Sequence, residues 1–296
     1  MLRRVCRQTD RVSGPSGYRL VQLANGAHSV HSLAHRETFH PVIGPVAEAE
    51  ALYVRQLRLR ERLARHAGEF VIWDVGLGAA ANVLTVLRAT GDLPVSLRVV
   101  SFDHTLEPLE FALRHREALG YFTGYEAPVT TLLQEQRVEF TTGQRAVEWT
   151  LQLADFPNLL AQPAAGQLPK PHAILFDAFS PAKNPAMWTL PLFTNLHRQL
   201  DPQRPCALPT YSRSTLLRVS LLLAGFFVGA GHATGEKEET TIAANTLALI
   251  DEPLDQIWLQ RARNSTSAEP LHEPVYRQTK LSAETWEALR RHPQFN

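Results

Sequence analysis

Short apolar runs alternate along the chain with longer segments whose apolar residues recur every three or four positions. The short runs end in glycine, aspartate or hydroxyl residues, and they read EFVIWDVG, LRVVSFD, RVEFTTG, HAILFD and PCALPTYS. The predicted helices between them lie near residues 80–90, 106–119, 144–154, 188–200 and 213–224. Continuous apolar strands separated by helices are typical of a parallel sheet covered on both faces. The pattern therefore predicts a doubly wound α/β fold.

The turn after the first strand is a candidate ligand site, because ligands of such sheets bind just outside the carboxyl ends of the strands. The segment DVGLGAAANVL places Gly76 and Gly78 there, directly before a helix. Glycine lets the backbone approach a ligand, and the N–H groups of a helix N-terminus are available to it. The third glycine of a dinucleotide-binding turn is missing, so a purely structural turn is the alternative.

Polar side chains follow the other strands at the same predicted edge. Asp103 ends the second strand, where a carboxylate can accept hydrogen bonds from two ribose hydroxyls or can cap the next helix. Gln144 follows the RVEFTTG strand, where its amide can meet a base edge or simply begin a helix. Asp177 ends HAILFD and precedes a proline-rich loop. A cofactor that carries a nucleoside would contact all of these residues in order.

Composition and charge narrow the possible functions. The chain has 296 residues, 44% of them hydrophobic, and 30 basic residues against 29 acidic ones leave a formal charge of +1. Contact with nucleic acid would therefore need a local basic surface. One candidate is a basic stripe at helical spacing, which could instead be an ordinary solvated helix face: Arg55, Arg58, Arg62 and Arg65. The other is a basic N-terminal arm, which could instead be a tail without a partner: Arg3, Arg4, Arg7 and Arg11.

Cysteine content and hydropathy predict an unsecreted, cytoplasmic protein. Cys6 and Cys206 are too few for a disulfide framework or a thiolate metal site, and we expect no metal. The basic N-terminus is not followed by a signal-peptide core. The longest apolar stretch, VSLLLAGFFVGAG, is shorter than the roughly 20 residues of a membrane span.

A specific resemblance lies in the second half of the chain. The strings FDAFSPAKNPAMW, TYSRSTLLRVSLLLAGF and GEKEE resemble the S-adenosylmethionine-dependent methyltransferase part of the bacterial enzymes that modify the tRNA wobble uridine. This is the MnmC-type, or 5-methylaminomethyl-2-thiouridine, methyltransferase family. Upstream, LANGAHSVHSLAHRETFHPVIGPVAEAEALYV is similar to the N-terminal region of the same family. The resemblance covers roughly residues 20–250.

The resemblance implies a Rossmann-like class I methyltransferase sheet with extensions at both ends. We expect an N-terminal extension at 1–66 that packs on the substrate side, a methyltransferase domain at 67–250 and a short C-terminal extension at 251–296. The flavin oxidoreductase domain that is fused to this methyltransferase in many bacteria has no counterpart here. A stand-alone methyltransferase is therefore implied, with any flavin-dependent enzyme upstream in the pathway being a separate protein.

The implied reaction is methylation of the 5-aminomethyl group on wobble uridine U34, in the anticodon region of tRNA, to 5-methylaminomethyl. S-adenosyl-L-methionine is the implied cofactor, and Asp177 is the expected catalytic residue because its carboxylate can orient the amine. The expected cofactor-binding residues are Gly76, Gly78, Asn82, Asp103, Gln144 and Asp177.

The substrate side is expected to combine stacking, polar and charged contacts. Phe179 is placed to stack on the uracil, and Lys183 either contacts a phosphate or is a solvated loop lysine. The full set of expected substrate-binding residues is Phe179, Lys183, Asn184, Tyr211, His40, Glu37 and Lys237.

Departures from the family pattern leave two alternatives open. The family reads Gly-Phe-Gly-Thr-Gly-x-Asn where this chain has GLGAAAN at 76–82, so the third glycine is replaced by Ala80. Gln144 stands for a usual aspartate, and Lys-Glu-Glu at 237–239 replaces Lys-Arg-Glu. The alternatives are a methyltransferase of a small-molecule amine and a family member that has lost turnover.

Overall fold

The computed structural model describes residues 17–235 and 238–296, which form a large sheet, a small sheet and the helices around them. Lys237 and the arginines of the predicted N-terminal arm lie outside the described residues. The strands are β1 Tyr18–Gln22, β2 His28–Ser32, β3 Glu37–Thr38, β4 Phe70–Val75, β5 Leu97–Asp103, β6 Arg137–Thr142, β7 Arg145–Leu153, β8 Ala173–Phe176, β9 Ala207–Thr210, β10 Phe227–Gly231, β11 Thr240–Ala244 and β12 Glu252–Pro253.

The large sheet has nine strands in the order β12-β10-β11-β9-β8-β4-β5-β7-β6. Strands β9, β8, β4, β5 and β7 run parallel to one another, whereas β11 is antiparallel to β9 and β6 is antiparallel to β7. The predicted Rossmann-like α/β class is confirmed. Because the parallel strands end at one edge, the residues that follow them come together there.

Helices cover both faces of this sheet. The run of β4 is continuously apolar because its side chains are buried on both faces. Phe70 and Ile72 enter the core on one face, while Val71 and Trp73 enter the core on the other. The segment Glu50–Arg55 continues from α1 as a π-helix. The helices are α1 Pro45–Ala49, α2 Leu59–Ala64, α3 Ala81–Ala89, α4 Glu107–Arg114, α5 Arg116–Leu119, α6 Glu126–Glu135, α7 Phe156–Ala161, α8 Leu190–Arg198, α9 Thr215–Leu223, α10 Gln256–Asn264 and α11 Ala283–Leu289.

The two ends of the chain pack on different parts of the sheet. Strands β1, β2 and β3 form a separate antiparallel sheet, and the segment after β3 continues to the carboxyl edge of β4. Near the C-terminus, Trp258 of α10 and Leu289 of α11 belong to the same core as α8 and α9. Ser282 caps α11 by accepting a hydrogen bond from Thr285 N–H. Within the described ranges, no helix has both the length and the apolar character needed to cross a bilayer.

The prediction of a helix at 144–154 is wrong, because this segment forms β7. Its apolar residues alternate with polar ones, and Val147, Trp149 and Leu151 are the buried members. RVEFTTG is the antiparallel edge strand β6, which joins β7 through a turn that contains Gly143 and Gln144. This turn precedes β7, so it lies at the amino edge of the parallel strands, opposite the edge at which Asp103 and Asp177 lie.

The prediction of a continuous basic stripe on one helix is also wrong. Arg58 interrupts the helix with a positive φ of 49° and forms an ion pair with Asp251. The guanidinium of Arg62 donates to His172 O at 2.7 Å and to Pro205 O at 3.2 Å, and burial lowers its pKa. His172 and Pro205 precede β8 and β9, so Arg62 joins segments at the amino edge of the sheet.

The turn after β4 depends on the absence of a side chain at Gly76, which predicts a large effect of Gly76→Ala. The residue has φ +91°, and a Cβ there would lie 2.5 Å from the carbonyl oxygen of Asp177. Gly68 has φ +88°, but a Cβ there would meet no atom within 4 Å. We expect Gly68→Ala to lower the free energy of unfolding by about 1–2 kcal/mol, the cost of left-handed backbone. Gly76→Ala should lower the free energy of unfolding, measured by urea denaturation, clearly more than Gly68→Ala does. Equal losses in the two variants would show that a side chain at residue 76 does not collide with Asp177.

Candidate functional site

A cavity of about 460 Å³ lies at the carboxyl edge of the parallel strands, within the size range of small-molecule sites. Most of the residues predicted from the sequence line it. They are Glu37, His40, Gly76, Gly78, Asn82, Asp103, Asp177, Phe179, Asn184 and Tyr211.

The glycine turn and Asp103 form one wall of this cavity. Gly78 N–H donates to Asp103 Oδ2 at 2.9 Å, and His104 N–H donates to Asp103 Oδ1 at 2.8 Å. The same carboxylate hydrogen bonds with the His104 ring and raises its pKa. The Asp103 carboxylate is thus fixed by backbone N–H groups at the end of β5, where a ribose could meet it.

Ala80 stands where the family pattern has its third glycine, and it adopts a left-handed conformation with φ 61° at the start of α3. An alanine in this conformation costs about 1–2 kcal/mol, which surrounding packing must offset. Ala80 is buried, and its N–H donates to Leu77 O at 2.8 Å. The turn therefore has a left-handed residue at this position without a glycine.

The segment after β7, at the carboxyl edge of the sheet, places a polar residue beside the cavity. Asp155 and its neighbours Ala154, Phe156 and Pro157 line the cavity. Gln144 lies at the other end of β7 and is not among the lining residues. The assignment of Gln144 to the cofactor site is therefore wrong, and the reason is the wrong helix prediction, which hid where β7 ends.

Asp177 lies at the end of β8 within a cluster of polar side chains. Its Oδ2 accepts a hydrogen bond from Asn82 Nδ2 at 2.8 Å and lies 3.4 Å from His40 Nε2. On its other side, His40 Nδ1 lies 3.9 Å from Glu48 Oε1. The side chains of His40 and Glu48 are 8% and 7% exposed, so this cluster is largely removed from water.

The loop after Asp177 is held by side chains from several elements. Tyr211 Oη donates to Ala178 O at 3.0 Å, and Trp188 Nε1 donates to Phe179 O at 2.7 Å. Phe179 stacks on His35 with ring centroids 4.0 Å apart and meets Phe39 edge to face. One face of Phe179 is therefore covered by a neighbouring ring.

Lys183, the remaining candidate, is exposed and does not line the cavity. The described residues contain no group of three or more His, Cys, Asp or Glu that could hold a metal ion. Cys206 is buried, and burial raises the pKa of its thiol to about 12.

Asp74, which the sequence reasoning did not single out, lies buried in β4 below the glycine turn. Its Oδ2 accepts a hydrogen bond from Ser101 Oγ at 2.7 Å, and Ser101 Oγ in turn accepts one from Trp149 Nε1 at 2.9 Å. Burial raises the pKa of Asp74 to about 7. A polar residue within an otherwise apolar run was the signal in the sequence that could have drawn attention to it.

Comparison with known proteins agrees with this geometry. A family described as S-adenosyl-L-methionine-dependent methyltransferase matches residues 123–246. The bifunctional tRNA 5-methylaminomethyl-2-thiouridine biosynthesis protein MnmC of Pseudomonas putida (strain W619) is 29% identical over 217 residues, which cover 71% of this chain and 32% of that protein. The MnmC protein of Aeromonas hydrophila subsp. hydrophila is 31% identical over 212 residues, which cover 66% and 30%. The chain spans about a third of the length of these relatives.

Two solved structures share the fold. The crystal structure of MNMC2 from Aquifex aeolicus aligns with a TM-score of 0.65 at 23% identity, over 93% of this chain and 83% of that one. A spermidine synthase in complex with the transition-state analogue AdoDATO aligns with a TM-score of 0.50 at 11% identity, over 93% and 82%.

The sheet order, the cavity at its carboxyl edge and the family match define an S-adenosyl-L-methionine-dependent methyltransferase of class I. The relatives found by sequence comparison indicate a narrower group within this class. Within it, the chain is similar to the MnmC proteins.

The cavity fits the cofactor of this class on two observations. Gly76 and Gly78 line the cavity with backbone alone, directly before the N-terminus of α3. Asn82 Oδ1 is buried, and no described residue donates a hydrogen bond to it, so it can accept one from a bound molecule. We expect Asp103 to bind the ribose, Asp155 the adenine amino group, and the turn with Asn82 the methionine part.

The corrected assignment predicts different effects at the two ends of β7. Asp155→Asn retains an oxygen that can cap α7 by accepting from Asn158 N–H, but it replaces an acceptor toward the cavity by a donor. We expect this variant to weaken S-adenosylmethionine binding about tenfold in calorimetry, equivalent to roughly 1.4 kcal/mol. Gln144→Ala should leave the dissociation constant unchanged. Weakening by Gln144→Ala alone would contradict the assignment.

Proposed function

We propose that this protein methylates the primary amine of 5-aminomethyluridine at the wobble position of tRNA, acting in the cytoplasm. The observation that carries the proposal is the position of Asp177. Its carboxylate lies in the same cavity as the glycine turn and Asp103, and it is joined to Asn82 of α3. An amine that hydrogen bonds to this carboxylate would thus approach the place where the cofactor's methionine part is expected. Similarity to the MnmC proteins supports tRNA as the substrate.

The amine must lose a proton before its nitrogen can attack. An alkylamine has a reference pKa of ~10.4, so near neutral pH its neutral form costs roughly 4–5 kcal/mol. S-adenosylmethionine, when bound, supplies the methyl group and departs as a neutral thioether. Asp177 accepts a hydrogen bond from the amine and aims the nitrogen lone pair. His40 Nε2 lies 3.4 Å from the Asp177 carboxylate, so His40 is placed to take the proton on from Asp177.

Removing the charge of Asp177 tests this role. We expect Asp177→Asn to retain S-adenosylmethionine affinity within about threefold but to lower methyl transfer to undermodified tRNA by at least about 100-fold. Labelled methyl transfer and calorimetry measure the two quantities, and the exposed Asp251→Asn is the matched control. Equal loss of both quantities would make Asp177 a cofactor ligand instead.

The same measurements separate the remaining functions. A wild-type protein that binds no S-adenosylmethionine would support a member that has lost turnover. If it binds the cofactor but methylates only free small amines, the tRNA proposal is wrong. Mass spectrometry of tRNA nucleosides from a deletion strain is the independent test, and the methylaminomethyl mark should be absent there.

For RNA contact, the proposal relies on exposed cations of the loops at the carboxyl edge. Arg36 lines the cavity from the turn between β2 and β3, Lys183 follows β8, and Arg213 follows β9. Among the described residues, none of the three forms an ion pair within 4.0 Å. Cations on these three loops can bind the phosphates that flank a nucleotide in the cavity.

Neutralising these cations should weaken tRNA binding in a salt-dependent manner. We expect the triple change Arg36→Gln, Lys183→Gln and Arg213→Gln to reduce affinity and to flatten the plot of log affinity against log salt. For every phosphate that a cation no longer neutralises, that slope should change by about 0.7–0.9. The control is Arg55→Gln with Arg65→Gln, which removes two arginines of the predicted basic stripe. Filter binding over a range of salt concentrations measures both, and a larger effect of the control would refute this surface.

A further inference from the structure

Glu37 joins the N-terminal sheet to the loop that follows Asp177. It lies in β3, which pairs with β2, and its side chain reaches Ser180, 143 residues further along the chain. Glu37 Oε2 accepts a hydrogen bond from Ser180 N–H at 3.1 Å, and Glu37 Oε1 accepts a second from Ser180 Oγ. Both carboxylate oxygens are thus used by one residue of the loop.

This contact completes the support of three consecutive loop residues. The carbonyl of Ala178 is bonded by Tyr211 after β9, and that of Phe179 by Trp188 before α8. Glu37 supplies the third support, and it is the one among these three that comes from the N-terminal segment. Asp177 directly precedes this segment, so the position of its carboxylate depends on these supports.

The residues on either side of Glu37 make aromatic contacts with the same loop. His35 and Phe39, on either side of Glu37, both contact Phe179. Phe39 also approaches the cofactor turn, because a Cβ on Gly78 would lie 3.1 Å from its ring. The N-terminal segment thus reaches both the expected cofactor side and the expected substrate side.

We propose that Glu37 is a positioning residue, not a substrate ligand: its carboxylate holds Ser180 and thereby fixes Asp177 and Phe179 for methyl transfer. The proposal rests on the proposed function for the reaction, but its structural part does not. The Glu37 carboxylate accepts from both donors of Ser180, and its charge makes both hydrogen bonds stronger than neutral ones. Glutamine is neutral and offers one acceptor, so the Ser180 hydroxyl would have to turn and accept from its NH₂ group, and two charge-assisted hydrogen bonds would become two weaker neutral ones.

The structural part is tested by hydrogen exchange on the full chain without any tRNA. The Ser180 N–H should be protected in the wild type, and the peptide that covers residues 177–184 should exchange faster in Glu37→Gln. Glu110→Gln, an exposed glutamate on α4, is the matched control and should leave this peptide unchanged. Unchanged exchange in Glu37→Gln would overturn the proposal whatever the substrate is.

The functional part is tested by kinetics with the proposed tRNA substrate. We expect Glu37→Gln and Ser180→Ala each to lower kcat about 10- to 100-fold while S-adenosylmethionine affinity and KM for tRNA stay within about threefold. The double variant should be no slower than the slower single variant, because both remove one connection. Ser180→Thr retains the hydroxyl and should recover most of the rate.

Two outcomes are decisive against the proposal. A rise in KM for tRNA with unchanged kcat in Glu37→Gln would make Glu37 a substrate ligand. Additive losses in the double variant would mean that Glu37 and Ser180 act separately. If instead the wild type methylates no tRNA while the exchange result is as expected, the proposed function fails and the connection between Glu37 and the loop stands.

Discussion

The close approach of two backbone segments, Gly76 after β4 and Asp177 after β8, is the constraint on which the site depends. The two strands are parallel neighbours, so their ends lie side by side, but a side chain on residue 76 would collide with the Asp177 carbonyl. With glycine there, α3 begins close enough for Asn82 to reach the Asp177 carboxylate at 2.8 Å. The expected cofactor turn and the expected catalytic residue are therefore parts of one packed unit, so a shift of the backbone at one must move the other.

The sequence predicted the centre of the sheet well because that part is governed by local chemistry. A buried strand such as β4 contacts cores on both faces, so its run is continuously apolar, and the glycine or aspartate that ends it is visible directly. Gly76, Asp103 and Asp177 were found this way, and the structure brings them together around one cavity.

The failures have a common cause, which is that a sequence does not show which strands are neighbours. RVEFTTG was treated as a parallel strand, although it pairs antiparallel with β7 at the edge of the sheet. That error, together with the helix predicted at 144–154, moved the expected base contact to Gln144, at the wrong end of β7, and left Asp155 unnoticed. The arginine stripe failed for a related reason, since the pattern could not reveal that Arg58 leaves the helix or that Arg62 is satisfied by carbonyls of distant segments.

The long separation between Glu37 and Ser180 also affects how the protein is made. A ribosome releases the N-terminal sheet well before it has synthesised the loop that this sheet must meet, 143 residues later. During that interval His35, Phe39 and Glu37 have no loop to pack against, and contacts of such long range are slow to form. The expected substrate side of the cavity can therefore form only after β8 and the residues that follow it have emerged. The nascent chain thus remains inactive until most of it has been synthesised.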